Sequence, residues 1–300
     1  MTDRIVAVVG PTAAGKSALS IALAHALNGE VVNCDSMQLY RGMDIGTAKL
    51  GPAQREGVPH HLLDIWDVTE PASVAAYQRL ARAAIADISR RGRTPLLVGG
   101  SGLYVRAVLE EFEFPGTDPQ LRARLEAELA ASGPAPLYAR LVAADPGAAA
   151  RILPSNGRRI VRALEVIELT GEPFAAALPA PTPVYPGVQI GVDLDPAALD
   201  ERVAARVDHM WAAGLVDEVR ELAARGLREG RTASRALGYQ QVIAHLDGRY
   251  TEEEAHAETI RATRRFVRRQ RSWFRRDPRI IWLDGGRPDL ASAALTVVAP

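Results

Sequence analysis

The stretch VVGPTAAGKS (residues 8–17) fits the phosphate-binding pattern GxxxxGK[ST]. A β-branched run precedes it at 5–9, and apolar residues at helical spacing follow it from Ser17 to Leu27. A strand, a glycine-bearing turn and a helix in this order are the context that the motif requires. We therefore predict a phosphate-binding loop (P-loop, residues 10–17) whose backbone N–H groups from Thr12 to Ser17 face a diphosphate.

Each P-loop residue has a predicted part in this site. Lys16 adds a positive charge, and the hydroxyl of Ser17 is placed to bind Mg²⁺, the one metal and cofactor that we expect. The motif predicts a bound phosphate and does not specify what the phosphate is attached to. The predicted diphosphate site comprises Gly10, Pro11, Thr12, Ala13, Ala14, Gly15, Lys16 and Ser17.

Strand-like and helix-like stretches alternate in the parts of the chain that flank a central segment. Apolar runs at 31–34, 95–98, 188–192 and 280–282 read as further strands. This alternation predicts an α/β fold with a P-loop-type parallel sheet flanked by helices. Three helices without intervening strands, at 121–129, 137–144 and 158–169, predict a smaller all-helical insertion domain. We place the core at 1–114 and 187–300 and the insertion at 115–186, with an extended proline-rich exit at 179–186.

Composition narrows the function classes. The 300 residues, 47% of them hydrophobic, can bury a full core. With 36 basic and 36 acidic residues the net charge is zero, so any nucleic-acid partner must bind a local cluster. Cys34 is the single cysteine and cannot form an internal disulfide, and no leader or membrane-length apolar run is visible. We expect a cytoplasmic protein with no membrane partner, and a monomer.

Asp35 ends the second predicted strand, at the sheet edge where ligands of α/β proteins gather. Its carboxylate could bind a metal, orient a substrate or accept a proton; a turn-capping role is the structural alternative. The strand at 95–98 ends in Gly99-Gly100, where nucleotide hydrolases often carry a metal-binding Asp. This weakens an ATPase or GTPase interpretation without excluding it.

Two arginine clusters suggest an RNA partner. Residues 261–279 hold nine arginines and one acid, and five of these arginines recur at steps of three and four. They predict a basic stripe along one helix face, formed by Arg261, Arg264, Arg268, Arg271 and Arg275. The alternative is a solvated amphipathic helix. A second cluster, Arg151, Arg158, Arg159 and Arg162, lies in the insertion.

Several motifs in fixed order resemble those of one enzyme family. After the P-loop come DSMQLY (35–40), PHHLLD (59–64), GGSGLY (99–104), RRIVRALEV (158–166), ALGYQQ (236–241) and RRQRSWFR (268–275). Together they resemble the tRNA dimethylallyltransferases, also called tRNA isopentenyltransferases, over nearly the whole chain. The resemblance implies transfer of a dimethylallyl group from its diphosphate to N6 of the adenosine 3′ of the anticodon, in tRNAs that read codons beginning with U.

The resemblance also implies residue roles. Asp35 would be the base, Arg206 would hold the diphosphate, and Thr12 and Ser101 would place hydroxyls beside the diphosphate and the adenine. Ser17 and Ser101 stand where threonine is common in the family, and Pro196 stands where an arginine is expected. The residues assigned to the tRNA anticodon stem-loop are Asp35, Ser36, Met37, Gln38, Ser101, Arg122, Arg158, Arg159, Arg162, Tyr239, Gln240, Arg268, Arg269, Gln270, Arg271, Trp273 and Arg275.

Two other functions fit parts of the pattern. A nucleotide or small-molecule kinase would share the P-loop and an arginine-rich helical lid, with ATP as donor. An RNA-binding module could keep a nucleotide as a structural ligand. Spacing and composition alone do not separate the kinase from group transfer, and the resemblance favours the transferase. We interpret His60-His61 as structural, because no third metal ligand follows at useful spacing.

Overall fold

The computed structural model describes residues 4–111, 114–174 and 182–299. Its contacts divide the chain into two compact units. We call residues 1–110 with 183–300 the core unit, and residues 111–182 the insertion unit. No helix in the described part of the chain combines the length and apolar character that a bilayer crossing needs.

The core unit is built on a six-stranded parallel sheet in the order β3-β2-β4-β1-β5-β6. All residues of β1 and β2 are buried, as expected for central strands covered on both faces. The parallel sheet is therefore confirmed, although β3 has two residues and was too short to predict. The strands are β1 (Ile5–Val9), β2 (Gly29–Asn33), β3 (His60–His61), β4 (Thr94–Gly99), β5 (Gly187–Asp193) and β6 (Ile280–Asp284).

Helices cover both faces of this sheet. The core unit contains α1 (Lys16–Leu27), α2 (Val74–Arg90), α3 (Gly102–Leu109), α8 (Pro196–Ala212), α9 (Leu215–Ala224), α10 (Tyr239–Leu246), α11 (Glu252–Phe274) and α12 (Leu290–Val298). Leu23 and Val298 pack into the core on one side, while Ile85 and Val105 pack into the core on the other. The sequence pattern did not reveal α3, because its start lies in a glycine-rich run.

The described residues of the insertion unit are helices and turns. These helices are α4 (Pro119–Ser132), α5 (Pro134–Ala144), α6 (Pro146–Ala149) and α7 (Gly157–Thr170). Leu125, Leu137, Leu141 and Ile160 are fully buried in a core of their own. An α-helix keeps residues three and four apart on one face, so this apolar spacing gives the unit its all-helical form. Of the predicted exit at 179–186, residues 179–181 lie outside the described residues.

Candidate active site

The P-loop wraps between β1 and α1 in a conformation that its glycines make possible. Gly10 has φ +133°, and a Cβ atom there would lie 2.2 Å from the backbone oxygen of Val192 in β5. No other residue fits so close to a neighbouring strand. Ala13 also lies in the left-handed region, with φ +68°. The strained turn points the start of α1 toward the carboxyl edge of the sheet.

Lys16 begins α1, and its amine contacts the loop itself. Its Nζ donates to the backbone oxygen of Pro11 at 2.6 Å. Burial lowers the pKa of Lys16 to about 8; the Asp35 carboxylate opposes the shift and Arg206 adds to it. The amine is thus a desolvated cation with a weak backbone partner, which favours an anionic ligand.

Two backbone donors of the predicted diphosphate site are already used, and one of them is the N–H of Ala14, which donates to the Pro11 backbone oxygen at 3.4 Å. The N–H of Thr12 donates to Oε1 of Gln270 at 2.9 Å, and Nε2 of Gln270 donates to the Gly100 backbone oxygen at 2.9 Å. The prediction that the N–H of Thr12 faces the ligand is therefore wrong. Gln270 is buried and joins the P-loop to the turn after β4. Because both ends of its side-chain amide are bound inside the protein and the residue is buried, we omit it from the RNA surface.

Asp35 follows β2 and is held in a tight turn. Its Oδ1 accepts the N–H of Met37 at 2.9 Å, and its own N–H donates to Oδ1 of Asn33 at 3.0 Å. Asn33 is buried and also donates from Nδ2 to the backbone oxygens of Asp35 and Leu62. The capping role and a chemical role are thus compatible, since Oδ2 of Asp35 has no hydrogen bond among the described residues.

The carboxyl ends of β2 and β4 bring two serine hydroxyls together. Oγ of Ser101 accepts the N–H of Ser36 at 3.2 Å and lies 3.3 Å from the Ser36 hydroxyl. The two strands are neighbours in the sheet, so residues 65 positions apart in sequence meet at its edge. Ser101 and the segment from Asp35 to Gln38 therefore line the same place, as the sequence motifs required.

Arg206 reaches the site from α8. Its Nη2 donates to the Thr47 backbone oxygen at 3.0 Å, and Nε2 of Gln38 donates to the same oxygen at 3.1 Å. Burial lowers the pKa of Arg206, and the Asp35 carboxylate opposes that shift. Arg206 is partly buried and forms no ion pair in the described residues. Arg206 is therefore neither a fully solvated nor an ion-paired helix charge.

Three residues that could suggest further chemistry, Cys34, His60 and His61, have structural explanations. Cys34 is buried, and burial raises the pKa of its thiol to about 12. A thiol held neutral in this way is a poor nucleophile. His61 contacts the Glu30 carboxylate through Nε2 at 2.7 Å, and Nδ1 of His60 lies 2.9 Å from the Val58 backbone oxygen. Both histidines thus have structural partners in the core unit.

The residues present fit a Mg²⁺ ion that is held mainly by a ligand. Ser17 is exposed in the first turn of α1, and its hydroxyl has no hydrogen bond in the described part of the chain. No group of three or more His, Cys, Asp or Glu side chains that could hold a metal occurs in residues 4–111, 114–174 and 182–299. Mg²⁺ commonly takes one or two protein oxygens and completes its shell with phosphate oxygens and water. Ser17 suits that role.

The predicted basic stripe on α11 is largely neutralised. Arg271 and Arg275 both bind the Asp193 carboxylate, through Nε at 2.9 Å and Nη2 at 2.8 Å. Arg264 and Arg268 lie within 4 Å of the Asp200 carboxylate, and Arg261 pairs with Glu258. Because the acids come from β5, α8 and the first half of α11, the spacing of the arginines could not reveal the pairing.

A neighbouring face of α11 carries a different set of side chains. Phe266, Arg269 and Trp273 follow one another at helical steps of three and four. Arg269 lies 5.8 Å above the Phe266 ring and forms no ion pair in the described residues. Trp273 is 36% exposed and lies against Gly102, beside Ser101. An arginine over an aromatic ring, with an exposed indole one turn further along the helix, is well suited to a nucleic-acid base.

Three other residues assigned to tRNA have their polar groups bound inside the protein. Tyr239 is fully buried, and its hydroxyl donates to Oε1 of Glu218 at 2.6 Å. In the insertion unit, Arg122 donates to the buried Glu165 at 3.1 Å and Arg162 donates to it at 2.7 Å. Burial raises the pKa of Glu165, but the two arginines outweigh it and the pKa lies below its usual value. We omit these three residues from the RNA surface.

The fold and site together define a P-loop α/β protein with a carboxylate and two partly buried cations at its phosphate-binding edge. A family model described as IPP transferase matches residues 38–277. The chain belongs to the IPP transferase family.

Relatives and solved structures agree with this membership. The chain is 79% identical to a tRNA dimethylallyltransferase of Salinispora arenicola over 294 residues, covering 98% of this chain and 86% of the relative. It is 70% identical to one of Streptomyces avermitilis, covering 96% and 92%. The full-length tRNA isopentenylpyrophosphate transferase of Bacillus halodurans superposes with TM-score 0.74 at 43% identity, covering 99% and 94%. A eukaryotic dimethylallyltransferase acting on tRNA gives TM-score 0.84 at 27% identity, covering 98% and 77%.

Proposed function

We propose that this protein transfers a dimethylallyl group from dimethylallyl diphosphate to N6 of the adenosine 3′ of the anticodon, in tRNAs that read codons beginning with U. One observation carries the proposal. Lys16 and Arg206, two desolvated cations from different elements, interact with the same carboxylate, Asp35, at the P-loop. The family membership and the names of the relatives support the choice of donor and acceptor.

The proposed reaction needs three things from the protein. The N6 lone pair attacks C1 of the dimethylallyl group while the C1–O bond to diphosphate breaks, and the N6 proton moves to a base. Lys16, Arg206 and the free N–H groups of the P-loop stabilise the charge that grows on the diphosphate. Asp35 has a carboxylate oxygen available to accept the proton, which N6 loses only as the new bond forms.

The donor is oriented by the hydroxyls and the metal in this proposal. Thr12 and Ser101 remain the proposed hydroxyl contacts to the diphosphate and the adenine. When bound, Mg²⁺ would supply additional positive charge at the diphosphate, and Ser17 would hold it.

The RNA surface that we propose is narrower than the one expected from sequence. On the core unit it comprises Ser36, Ser101, Gln240, Arg269 and Trp273, with Asp35, Met37 and Gln38 around the target base. On the insertion unit it comprises Arg158 and Arg159, both exposed. Arg268, Arg271 and Arg275 are secondary contacts, because each is already paired with an aspartate. A cytoplasmic location follows from a tRNA substrate.

The kinase alternative finds no support at the strand ends. Asp193, the last residue of β5, has a carboxylate that could have bound a nucleotide-associated Mg²⁺. This carboxylate forms ion pairs with Arg271 and Arg275 instead. After β4 the chain continues with Gly99 and Gly100. The expected metal-binding Asp is therefore lacking at both strands that flank β1.

The test is mass spectrometry of nucleosides from unmodified tRNA incubated with the purified protein, Mg²⁺ and dimethylallyl diphosphate. We expect a dimethylallyl-sized mass gain on the adenosine beside the anticodon. A tRNA with guanosine at that position is the matched RNA control, and ATP replaces the donor in a parallel reaction. ATP consumption without a mass gain in the first reaction would replace the proposal with the kinase alternative.

A further inference from the structure

The loop from Asp44 to Thr47 is held by a carboxylate from a distant helix. Oε2 of Glu218, on α9, accepts the N–H of Asp44 at 3.1 Å and of Ile45 at 2.7 Å. Oε1 of Glu218 accepts the N–H of Gly46 at 3.2 Å. Three consecutive backbone donors thus converge on one side chain, and bonds to a charged acceptor are stronger than those between neutral groups.

Tyr239 completes this arrangement from α10. Its hydroxyl donates to Oε1 of Glu218 at 2.6 Å, and its ring covers Gly46, where a Cβ atom would lie 2.5 Å from the ring. Burial, together with the Glu218 carboxylate, raises the pKa of Tyr239 well above its usual value. The phenol therefore stays protonated and remains a donor. Glycine is required at position 46 because the ring occupies the space of any side chain.

The far end of the loop is fixed as well. Nζ of Lys49 contacts Oδ1 of Asp44 and Oδ1 of Asp64, each at 2.6 Å, and the Tyr40 backbone oxygen at 2.9 Å. The Lys49 side chain is only 3% exposed. With both ends bound, the loop has little freedom to shift.

The loop presents one acceptor to the active site. The Thr47 backbone oxygen accepts hydrogen bonds from Nη2 of Arg206 and Nε2 of Gln38. The Thr47 hydroxyl donates to the Met43 backbone oxygen at 2.7 Å. This is the one hydrogen bond seen for the Arg206 guanidinium in the described part of the chain. The direction of Arg206 therefore depends on where the loop places the Thr47 carbonyl.

We propose that Glu218 is a positioning residue that acts through the Thr47 carbonyl to aim Arg206 at the bound diphosphate, with Tyr239 holding Glu218 in place. The inference rests on the proposed function, which assigns Arg206 to the diphosphate. Removing the carboxylate leaves three N–H groups and a buried phenol without an acceptor, so the loop must rearrange. A guanidinium that has lost its anchor binds the leaving group in more than one orientation.

The first test measures binding of inorganic diphosphate by calorimetry and, separately, the steady-state kinetics of dimethylallyl transfer. For Glu218→Ala we expect both the affinity for diphosphate and kcat/KM for the donor to fall about 10- to 100-fold. Glu221→Ala, an exposed acid on the same helix, is the matched control and should match the wild type. Measurements are made well below the unfolding temperature of each variant. Unchanged diphosphate affinity in a folded Glu218→Ala protein would overturn the inference.

A double-mutant cycle distinguishes positioning from general destabilisation. In an Arg206→Ala background, Glu218→Ala should cause no further loss of diphosphate affinity, because the group it positions has been removed. Additive losses would assign Glu218 a merely structural role. If Glu218→Ala does not fold, Tyr239→Phe replaces it in the same double-mutant cycle. This variant keeps the aromatic ring and leaves the Glu218 carboxylate in place. If the wild type binds diphosphate but transfers no dimethylallyl group, the proposed function is wrong. The double-mutant cycle, which measures diphosphate affinity, still tests the role of Glu218 in that case.

Discussion

Asp35 illustrates how one carboxylate can serve both a turn and a reaction. Oδ1 caps the turn through Met37, and Asn33 holds the backbone on the other side. The proposed base is therefore held in place before substrate arrives, and no rotamer would need to be selected at the moment of proton transfer. Such fixed geometry is the main way a protein shortens the search for a reactive arrangement.

Replacing Asp35 with Asn keeps the size of the side chain and an oxygen for the Met37 N–H. It removes the proton acceptor, so we expect the single-turnover rate of dimethylallyl transfer to fall about 10²- to 10⁴-fold. Affinity for inorganic diphosphate should change far less. Asp87→Asn on the exposed face of α2 serves as the control. A near-normal rate for Asp35→Asn would assign the base to another group.

The lowered pKa of Lys16 gives a pH dependence of known sign. Its pKa is about 8 in the free protein, so the amine is charged below that pH and neutral above it. Affinity for diphosphate should fall as the pH rises through 8, and binding above pH 8 should take up a proton. Calorimetry between pH 7 and pH 9.5, in buffers of different ionisation enthalpy, measures both effects. Lys16→Met should lack the part of this fall that the amine causes, since diphosphate itself also titrates in this range, and a wild-type profile identical to that of Lys16→Met would contradict the assignment.

At the scale of elements, α11 joins parts of the chain that sequence keeps far apart. Its buried Gln270 bonds to the P-loop and to the turn after β4, while Arg271 and Arg275 hold the end of β5. One helix thus aligns the ends of three adjacent strands. The edge of the sheet that carries the site owes its shape to this helix as much as to the strands.

Gln270→Ala should destabilise the core unit, because Gln270 links the P-loop to the turn after β4. The backbone oxygen of Gly100 would lose its partner in a buried place, which costs about 1 to 3 kcal/mol in unfolding free energy, and the partly buried N–H of Thr12 would add a smaller loss. Urea denaturation followed by circular dichroism measures the loss. The exposed Gln240 provides a matched control, for which the change should stay within about 0.5 kcal/mol. Equal stability of the two variants would show that Gln270 is dispensable.

At the scale of the whole molecule, a neutral protein must bind a polyanion through local surfaces. Arg158 of the insertion unit and Arg269 of the core unit are exposed and have no ion pair in the described residues. Every phosphate they contact releases counterions from the RNA, so binding must weaken as salt rises. Arginines already paired with aspartate contribute less to this dependence.

We expect a steep fall of tRNA affinity with salt for the wild type. Arg158→Ala and Arg269→Ala should each lower the slope of log affinity against log salt by about one. Arg271→Ala should leave the slope nearly unchanged, because the Arg271 side chain is only 19% exposed and is bound to Asp193. Filter binding at several salt concentrations gives the slopes. Salt-independent binding would contradict an RNA surface built on arginine.

The sequence predicts the parts of this molecule that depend on short-range pattern. The P-loop lies between a strand and a helix that are both visible as hydrophobic periodicity, and Asp35 ends such a strand. The roles of Glu218 and Gln270 could not be predicted, because the backbone groups that they bind lie 170 or more positions away. The neutralisation of most of the arginine stripe could not be predicted for the same reason: Asp193 and Asp200, which pair with four of its five arginines, are distant in sequence. Periodicity shows which residues share a face and does not show what lies opposite.

The burial of Cys34 makes this chain a convenient subject for site-specific labelling. It is the single cysteine among the 300 residues, and with a pKa of about 12 it offers almost no thiolate to a maleimide at neutral pH. A cysteine introduced on an exposed helix, such as at Ser132 of α4, would therefore be the one site to carry a fluorophore or spin probe. The native thiol can stay in place, so motions of the insertion unit can be followed in a protein whose catalytic edge is unaltered.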